Sequence, residues 1–367
     1  MVRILISSHS YVVGLNQQKI EALSVIADLK ISLVVPKSWK APLRDTPLEK
    51  KTAKTYQIIP LNTRFNGNND RYFFPFFSLF KIFWRVRPKI VHIEEEPWSV
   101  SLLEFSLLSR IFAAKTIFFT WENIERQHKF WYKLFEKINL KLASGAIAGN
   151  REAKDLLLKK GFQKPVLVLP QLGVDLNYFK REKEKNEEFT IGFVGRFEEQ
   201  KGVMVLLNAV KQLPFPCKLL LVGGGPLKEK IDLYIKENNL LDKVEIVQGV
   251  NHSDVPDYLN KMDLLVLPSL TTPVWKEQFG HVLIEAMASG VPVIGSDSGA
   301  IPEVIADAGL IFKEGEVALL IEKIKKIYEN ENLREELIKK GLARIKENYT
   351  QEKIAAETYR FYQKILI

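Results

Sequence analysis

Cysteine is almost missing from this chain. Cys217 is the only one in 367 residues, which excludes an intrachain disulfide framework and any cysteine-rich metal site. Long apolar runs are missing too. A membrane-spanning helix needs about 18–20 apolar residues in a row, and the longest stretches here, 72–80 and 286–296, fall well short. No secretory leader is visible, because Val2-Arg3-Ile4-Leu5-Ile6-Ser7 is too short for a signal's apolar core and reads as a buried strand. No short-period repeat occurs. With 46% hydrophobic and 26% charged residues, the composition excludes disorder and collagen-like structure. The length suits two domains, and the expected compartment is the cytoplasm.

Charge is present but unevenly spread. Residues 1–180 carry 28 Lys and Arg against 15 Asp and Glu, a net of +13, while residues 181–367 carry 25 against 29, a net of −4. A basic first half suits an anionic partner, whether membrane surface, nucleic acid or phosphorylated ligand.

Short apolar runs rich in Val, Ile and Phe predict strands at 3–7, 31–35, 56–61, 90–94, 116–120, 145–148 and 166–169. A second series follows at 190–194, 218–222, 244–248, 264–267, 292–295 and 310–312. Such strands, spaced for crossover helices, read as parallel sheets covered on both faces. Between the series, 178–188 is a charge run with little to bury. The expected fold class is α/β, with two tandem Rossmann-like doubly wound domains at 1–170 and 189–349. A linker over 171–188 joins them, and a helix at 350–367 ends the chain. From Val317 the chain reads as helical, with Ile321, Ile324 and Ile327 at helical spacing and another helix from about Leu333.

Ligands of open α/β sheets sit at the carboxyl ends of the strands. The first strand of the second series ends Gly195-Arg196 and leads through Lys201-Gly202 toward a helix. The two cations therefore emerge where an anion would bind, although the spacing alone fits an ordinary loop with solvated cations equally well. The next strand ends Gly223-Gly224-Gly225-Pro226, a tight turn without the third glycine of a dinucleotide fingerprint. Further on, a helix is predicted from Gly280 to Ala288, ended by Gly290 and Pro292. Glu277 precedes it, and the N–H groups near Gly280, His281 and Val282 suit a phosphate. Glu285 lies about 7–8 Å along the axis from the first turn, at 1.5 Å per residue. Two carboxylates flanking a helix start could grip hydroxyls on both sides of a diphosphate. A surface acid and an unrelated helix-face acid is the alternative.

In order, Gly-Arg-x4-Lys-Gly (195–202), Gly-Gly-Gly-Pro (223–226), Glu-x7-Glu (277–285) and Gly-Val-Pro-Val (290–293) resemble the retaining family-4 glycosyltransferases. Gly173-Val174-Asp175 is similar to that family's interdomain segment. The likeness covers most of 171–306 and is looser and mostly architectural over 1–150. It implies the GT-B fold, two Rossmann-like domains facing a central cleft, with the last helix crossing back to the first domain. It implies transfer of a hexose from a UDP- or GDP-linked donor to a hydroxyl of a glycan or lipid-linked acceptor in surface polysaccharide or glycoconjugate synthesis. Arg196 and Lys201 match the cations that hold the diphosphate, and Glu277 matches the acid that contacts the transferred sugar. Glu285 matches the acid on the ribose, and Gly195, Gly224, Gly280, His281 and Val282 match donor-binding positions. The resemblance implies no metal and no cofactor besides the nucleotide sugar, which fits the lack of an Asp-x-Asp motif. A nucleotide-sugar epimerase and a non-catalytic sugar-nucleotide-binding protein are the competing readings.

The first half departs from the family. Its first loop has one glycine, Gly14, where many members have two, and Trp121-Glu122-Asn123 stands where many carry a histidine. Glu122 and Asn123 are therefore candidates for the acceptor side, as are His92 and Glu94 at a strand end. His9, His128 and His252 carry no signal individually. Residues 72–87 hold eight aromatics interleaved with Lys81, Arg85 and Arg87, and 126–141 is similar. Basic and aromatic faces fit peripheral attachment to an anionic membrane surface, on the inner face of the cell membrane. A crossover helix packed through Phe76, Phe80 and Phe83 fits equally. No binding signature supports nucleic acid.

Overall fold

A computed structural model describes residues 1–26, 28–40, 45–49, 55–182 and 188–367. Part of the charge run read as a linker, 183–187, lies outside the described residues. The chain forms two compact units, Met1–Gly173 with Gln351–Ile367, and Val174–Thr350. The division falls inside the segment read as a linker, because that segment is not all solvent-facing. Val174 and Phe179 are buried, and the Val174 N–H donates to the Tyr349 carbonyl within the second unit.

The first unit is a seven-stranded parallel sheet. Its strands are β1 (Val2–Ser7), β2 (Leu29–Pro36), β3 (Gln57–Leu61), β4 (Ile90–Ile93), β5 (Lys115–Thr120), β6 (Gly145–Ala148) and β7 (Val166–Val168). They lie in the order β3-β2-β1-β4-β5-β6-β7. Side chains alternate across a strand, and two cores follow from that alternation. Ile4, Ile6, Ile31, Leu33, Val35, Ile117 and Phe119 face one side, where α1 (Gln18–Ser24) supplies Ile20 and Leu23. Leu5, Val34, Val91, Ile93 and Phe118 face the other. There α2 (Phe76–Val86) and α3 (Val100–Ile111) cover the sheet with Leu79, Ile82, Phe83, Leu102 and Phe105. Helices α4 (Phe130–Leu142) and α5 (Arg151–Lys159) complete the crossovers.

The second unit repeats the plan with β8 (Thr190–Val194), β9 (Lys218–Val222), β10 (Val244–Val247), β11 (Leu264–Leu267), β12 (Val293–Ser296) and β13 (Leu310–Phe312). Their order is β10-β9-β8-β11-β12-β13. Its helices are α6 (Val203–Lys211), α7 (Lys228–Glu237), α8 (Val255–Leu259), α9 (His281–Ala288), α10 (Ile301–Ile305), α11 (Val317–Glu329) and α12 (Glu331–Asn348). In α11 the core face is Leu320, Ile324 and Ile327, with Ile321 at its margin. Asn330 caps α12 by accepting from the Leu333 N–H. The last helix, α13 (Gln351–Leu366), belongs to the first unit and lies beside α1 on its sheet, where Ile354, Phe361, Tyr362 and Ile365 join the core.

That docking encloses a polar cluster. The Lys19 ammonium of α1 pairs with the Glu94 carboxylate, both fully buried. Tyr11 OH donates to Glu94 at 2.7 Å and Gln171 Nε2 at 3.1 Å. His92 Nδ1 is hydrogen-bonded to Tyr362 OH of α13 at 2.7 Å. Burial pushes His92 down to about 4, against the opposing pull of Glu94. Burial raises the Glu94 carboxyl, but Lys19, His92 and Tyr11 more than offset this and hold it below the usual range.

Removing one partner of a buried ion pair leaves an uncompensated charge. Lys19→Met should therefore cost about 3–5 kcal/mol in urea unfolding. The two depressed groups act in the same direction. Stability should fall from about pH 6.5 toward 4 as neutral His92 resists protonation, and further below about 4.5 as Glu94 is protonated. An acid limb unchanged in His92→Asn and Glu94→Gln would contradict this account.

Candidate functional site

In each sheet the strand order reverses at the first strand, which opens a crevice at the carboxyl ends of the strands. In the second unit the reversal lies between β8 and β11. Past β8 the chain runs through Gly195 and Arg196 to a short 3-10 turn, Glu199–Lys201, and then α6. Gly202, at the joint, has φ +67°, and a Cβ there would lie 1.8 Å from the Pro268 carbonyl oxygen. Only glycine lets the loops after β8 and β11 close on each other in this way, and the closure places Lys201.

Lys201 Nζ lies 2.7 Å from Glu277 Oε2. The Glu277 carboxylate is buried and also accepts from Ser269 Oγ at 2.8 Å, just past β11. Ser269 is held by its own carbonyl, which accepts from Ser296 Oγ at 2.6 Å. The Lys201 ammonium sits 4.9 Å from the centre of the Trp275 ring, a cation–π distance. Arg196 differs. Its side chain is 63% exposed and touches Glu198 at 2.8 Å, so it is a solvated cation at the mouth of the loop.

Four residues after Glu277, α9 begins. Its N-cap, Gly280, has φ +78°, and a Cβ there would press to 2.8 Å from Leu267 Cδ2. Gly280 has no side chain and so makes no cap hydrogen bond of its own to the first turn. The helix therefore presents its positive end and the backbone of His281 and Val282 beside the Lys201–Glu277 pair. His281 is buried, and burial lowers its pKa. One turn on, Glu285 Oε1 lies 2.8 Å from His252 Nε2. The hydrogen bond to Glu285 raises the His252 pKa, against a desolvation that lowers it. Gly224 stands at the end of β9, where its carbonyl accepts from the Phe197 N–H at 2.8 Å. Gly195, Arg196, Lys201, Gly224, Glu277, Gly280, His281, Val282 and Glu285 are thus gathered at the carboxyl ends of β8, β9 and β11 and the start of α9.

The sequence reading missed three partners here. Trp275, Ser269 and His252 all contact the predicted residues. A lone histidine or serine has no pattern to betray it, and His252 is 33 residues from Glu285.

The candidates in the first unit fare differently. His92 and Glu94, expected on the acceptor side, lie within the sealed cluster beneath α13, so in this fold they serve packing. Glu122 is also buried, paired with the Lys160 ammonium and accepting from the Arg126 N–H at 3.3 Å. Asn123 is buried against Glu152. The Gly14 N–H donates to Glu49 at 2.8 Å. The core face expected for α2 is also corrected. Phe83 is buried, but Phe76 is exposed and Phe80 half-buried, and Leu79 and Ile82 take their places because the helix phase turns those two inward.

Residues 174–344 match the family Glycosyl transferases group 1. The chain is 28% identical over 268 residues to the capsular polysaccharide biosynthesis glycosyltransferase CapM of Staphylococcus aureus, covering 67% of this chain and 68% of that one. It is 33% identical over 175 residues to an uncharacterized glycosyltransferase of Methanocaldococcus jannaschii, covering 47% of each. The match thus spans about half the length of one relative and two thirds of the other. Over 99% of this chain and all of the other, the fold superposes on Anabaena Alr3699/HepE in complex with UDP, with TM-score 0.74 at 16% identity. The fold is GT-B.

Lys201→Ala should take the cation from the buried Glu277 carboxylate, which keeps its bond from Ser269, and destabilise the second unit by about 1–3 kcal/mol. Arg196→Ala removes an exposed cation and should leave the thermal midpoint unmoved. Equal midpoints for the two variants would contradict the pairing described here.

Proposed function

We propose that the protein is a glycosyltransferase of surface polysaccharide or glycoconjugate synthesis. It moves a hexose from a nucleoside-diphosphate donor to a hydroxyl of a glycan or lipid-linked acceptor, with retention of configuration. The observation that carries this reading is the Lys201–Glu277 pair beside the N-terminal start of α9, within the segment that matches Glycosyl transferases group 1. A related fold binds UDP, and CapM is named for capsular polysaccharide.

The chemistry follows from charge. The bond between the sugar's anomeric carbon and the diphosphate oxygen breaks, and its electron pair leaves with the phosphate. Arg196, Lys201 and the first N–H groups of α9 meet that developing negative charge, and losing one such donor typically costs 10²–10³ in rate. Glu277, fixed by Lys201 and Ser269, accepts from hydroxyls of the transferred sugar, and Glu285 accepts from the ribose. The acceptor oxygen bonds to the anomeric carbon on the face the phosphate leaves, and its proton goes to the departing phosphate oxygen. This scheme needs no metal.

Calorimetry separates the two acids. Glu285→Ala should weaken free UDP or GDP about tenfold or more, whereas Glu277→Ala should spare free nucleotide and weaken the intact nucleotide sugar. The reverse pattern would overturn the assignment. Donor binding should survive a chelator, and its loss would reveal a metal.

The acceptor's location is part of the proposal. On the first unit, Phe76, Phe77 and Trp84 of α2 and Phe130, Trp131 and Leu134 of α4 are exposed, Phe77 at 79%. Lys129, Lys133, Lys137 and Lys141 recur every fourth residue along α4. No described helix is long and apolar enough to cross a membrane. Rings at headgroup depth with lysines on anionic lipid suit an interfacial surface, at about 1 kcal/mol per basic residue. Co-sedimentation with phosphatidylglycerol vesicles should be strong at low salt and fall with added salt. It should weaken in Trp131→Ser and in Lys133→Gln/Lys137→Gln. Protein remaining in the supernatant at low salt would refute membrane docking.

A further inference from the structure

Lys201 faces two demands. Its ammonium donates to the buried Glu277 carboxylate at 2.7 Å, and in the transferase reading it must also meet a diphosphate. A carboxylate neutralises the cation it pairs with, so holding Lys201 through a second acid would set that acid against the phosphate. The structure holds it differently. The ammonium lies 4.9 Å from the centre of the Trp275 ring, and the lysine side chain is only 17% exposed. A ring face attracts a cation through its quadrupole, yet it carries no net charge. An ammonium has three N–H donors. One goes to Glu277, the ring covers another side, and no other hydrogen-bond partner of Nζ occurs among the described residues. A donor is therefore left for a ligand.

The backbone fixes the ring in this place. Just past β11, the Leu270 N–H donates to the Gln200 carbonyl at 2.8 Å, which ties the loop to the residue before Lys201. The Thr271 N–H donates to Glu314 at 2.6 Å, and Thr271 Oγ1 is hydrogen-bonded to Ser298 Oγ at 3.0 Å. The chain then turns back on itself. The Thr272 N–H donates to the Trp275 carbonyl at 2.7 Å, and Thr272 Oγ1 donates to the same oxygen at 3.2 Å. Pro273 inside the turn has the fixed φ that such a turn favours. Val274 at the tip is exposed, whereas Trp275 is half-buried. Trp275 lies outside the hydrophobic core that packs on α6 and α11. Its place is set by the turn, and the turn sets it over Lys201.

We propose that Trp275 is a positioning residue for Lys201, whose ring holds the ammonium beside Glu277 while leaving an N–H for the donor diphosphate. The assignment rests on the transferase reading above. It gives the turn at 272–275 a part in donor binding, although the turn itself touches no phosphate in this scheme. A ring that only filled space could be replaced by any apolar side chain of similar bulk. A ring that acts through its face cannot, and its effect must vanish when the ammonium is removed.

Calorimetry on the intact protein, with UDP and GDP as probes, tests this. Trp275→Leu keeps an apolar side chain and removes the ring face. It should weaken whichever nucleotide the wild type binds by about three- to tenfold, with Trp275→Phe falling between the two. In the Lys201→Ala background the same Trp275→Leu change should alter affinity by less than about twofold, because the partner it acts through is gone. Trp275 is also the one tryptophan of the second unit. Fluorine draws electron density off the ring face with little change of shape, so protein grown with monofluoro- and then difluorotryptophan should bind the nucleotide progressively more weakly. That series decides the matter even where Trp275→Leu fails to fold. Unchanged affinity in Trp275→Leu, an equal loss in the Lys201→Ala background, or affinity indifferent to fluorination would overturn the proposal and leave the donor reading standing. A wild type that binds neither UDP nor GDP would sink the donor reading and the proposal together.

Discussion

Both units obey one geometric constraint. A parallel sheet whose strand order reverses at its first strand sends neighbouring crossovers to opposite faces, and at the reversal nothing covers the carboxyl ends. The loops after β8 and β11 meet there, and Gly202 lets them meet closely enough for Lys201 to reach Glu277. The loops after β1 and β4 meet in the same way, and Glu95 gathers His9, Ser8 and Tyr72. Each unit thus places a buried carboxylate at its reversal point. The second unit supplies it with an ammonium and a helix dipole, and the first with neutral donors.

The first unit also spends a third carboxylate, Glu94, on holding itself together. Every polar side-chain atom of Glu94, Lys19, Tyr11 and Gln171 has a partner, and His92 ties the network's edge to Tyr362 of α13 through Nδ1, while its Nε2 is buried 3.8 Å from Glu94 without a hydrogen bond. A half-satisfied network of this kind would be worse than an apolar core, so the return of α13 to the first sheet and the burial of Lys19 depend on each other.

Much of this was legible in the sequence. All thirteen strands of the two main sheets stand where Val, Ile and Phe runs predicted them, because a strand buried on both faces has no polar alternation to blur it. The α9 site was legible because its parts are local. Glu277, Gly280 and Glu285 lie within one loop and one helix, and helix geometry relates them. Side-chain pairings over long separations were not legible. His9 finds Glu95 at a distance of 86 residues, and Lys19 finds Glu94 at 75. The run His92-Ile93-Glu94-Glu95-Glu96 shows the consequence. Read as a string it is a polar strand end facing the crevice, yet His92 and Glu94 are sealed by a cation and a helix from elsewhere.

The central claim is that a nucleoside-diphosphate sugar sits against the loop after β8 and the start of α9. Hydrogen exchange followed by mass spectrometry, with and without saturating UDP- or GDP-sugar, tests it most directly. The account predicts added protection over 195–202 and 280–285 while the first sheet's strands exchange as before. Saturable binding with those two segments unprotected, or protection confined to the first unit, would contradict it.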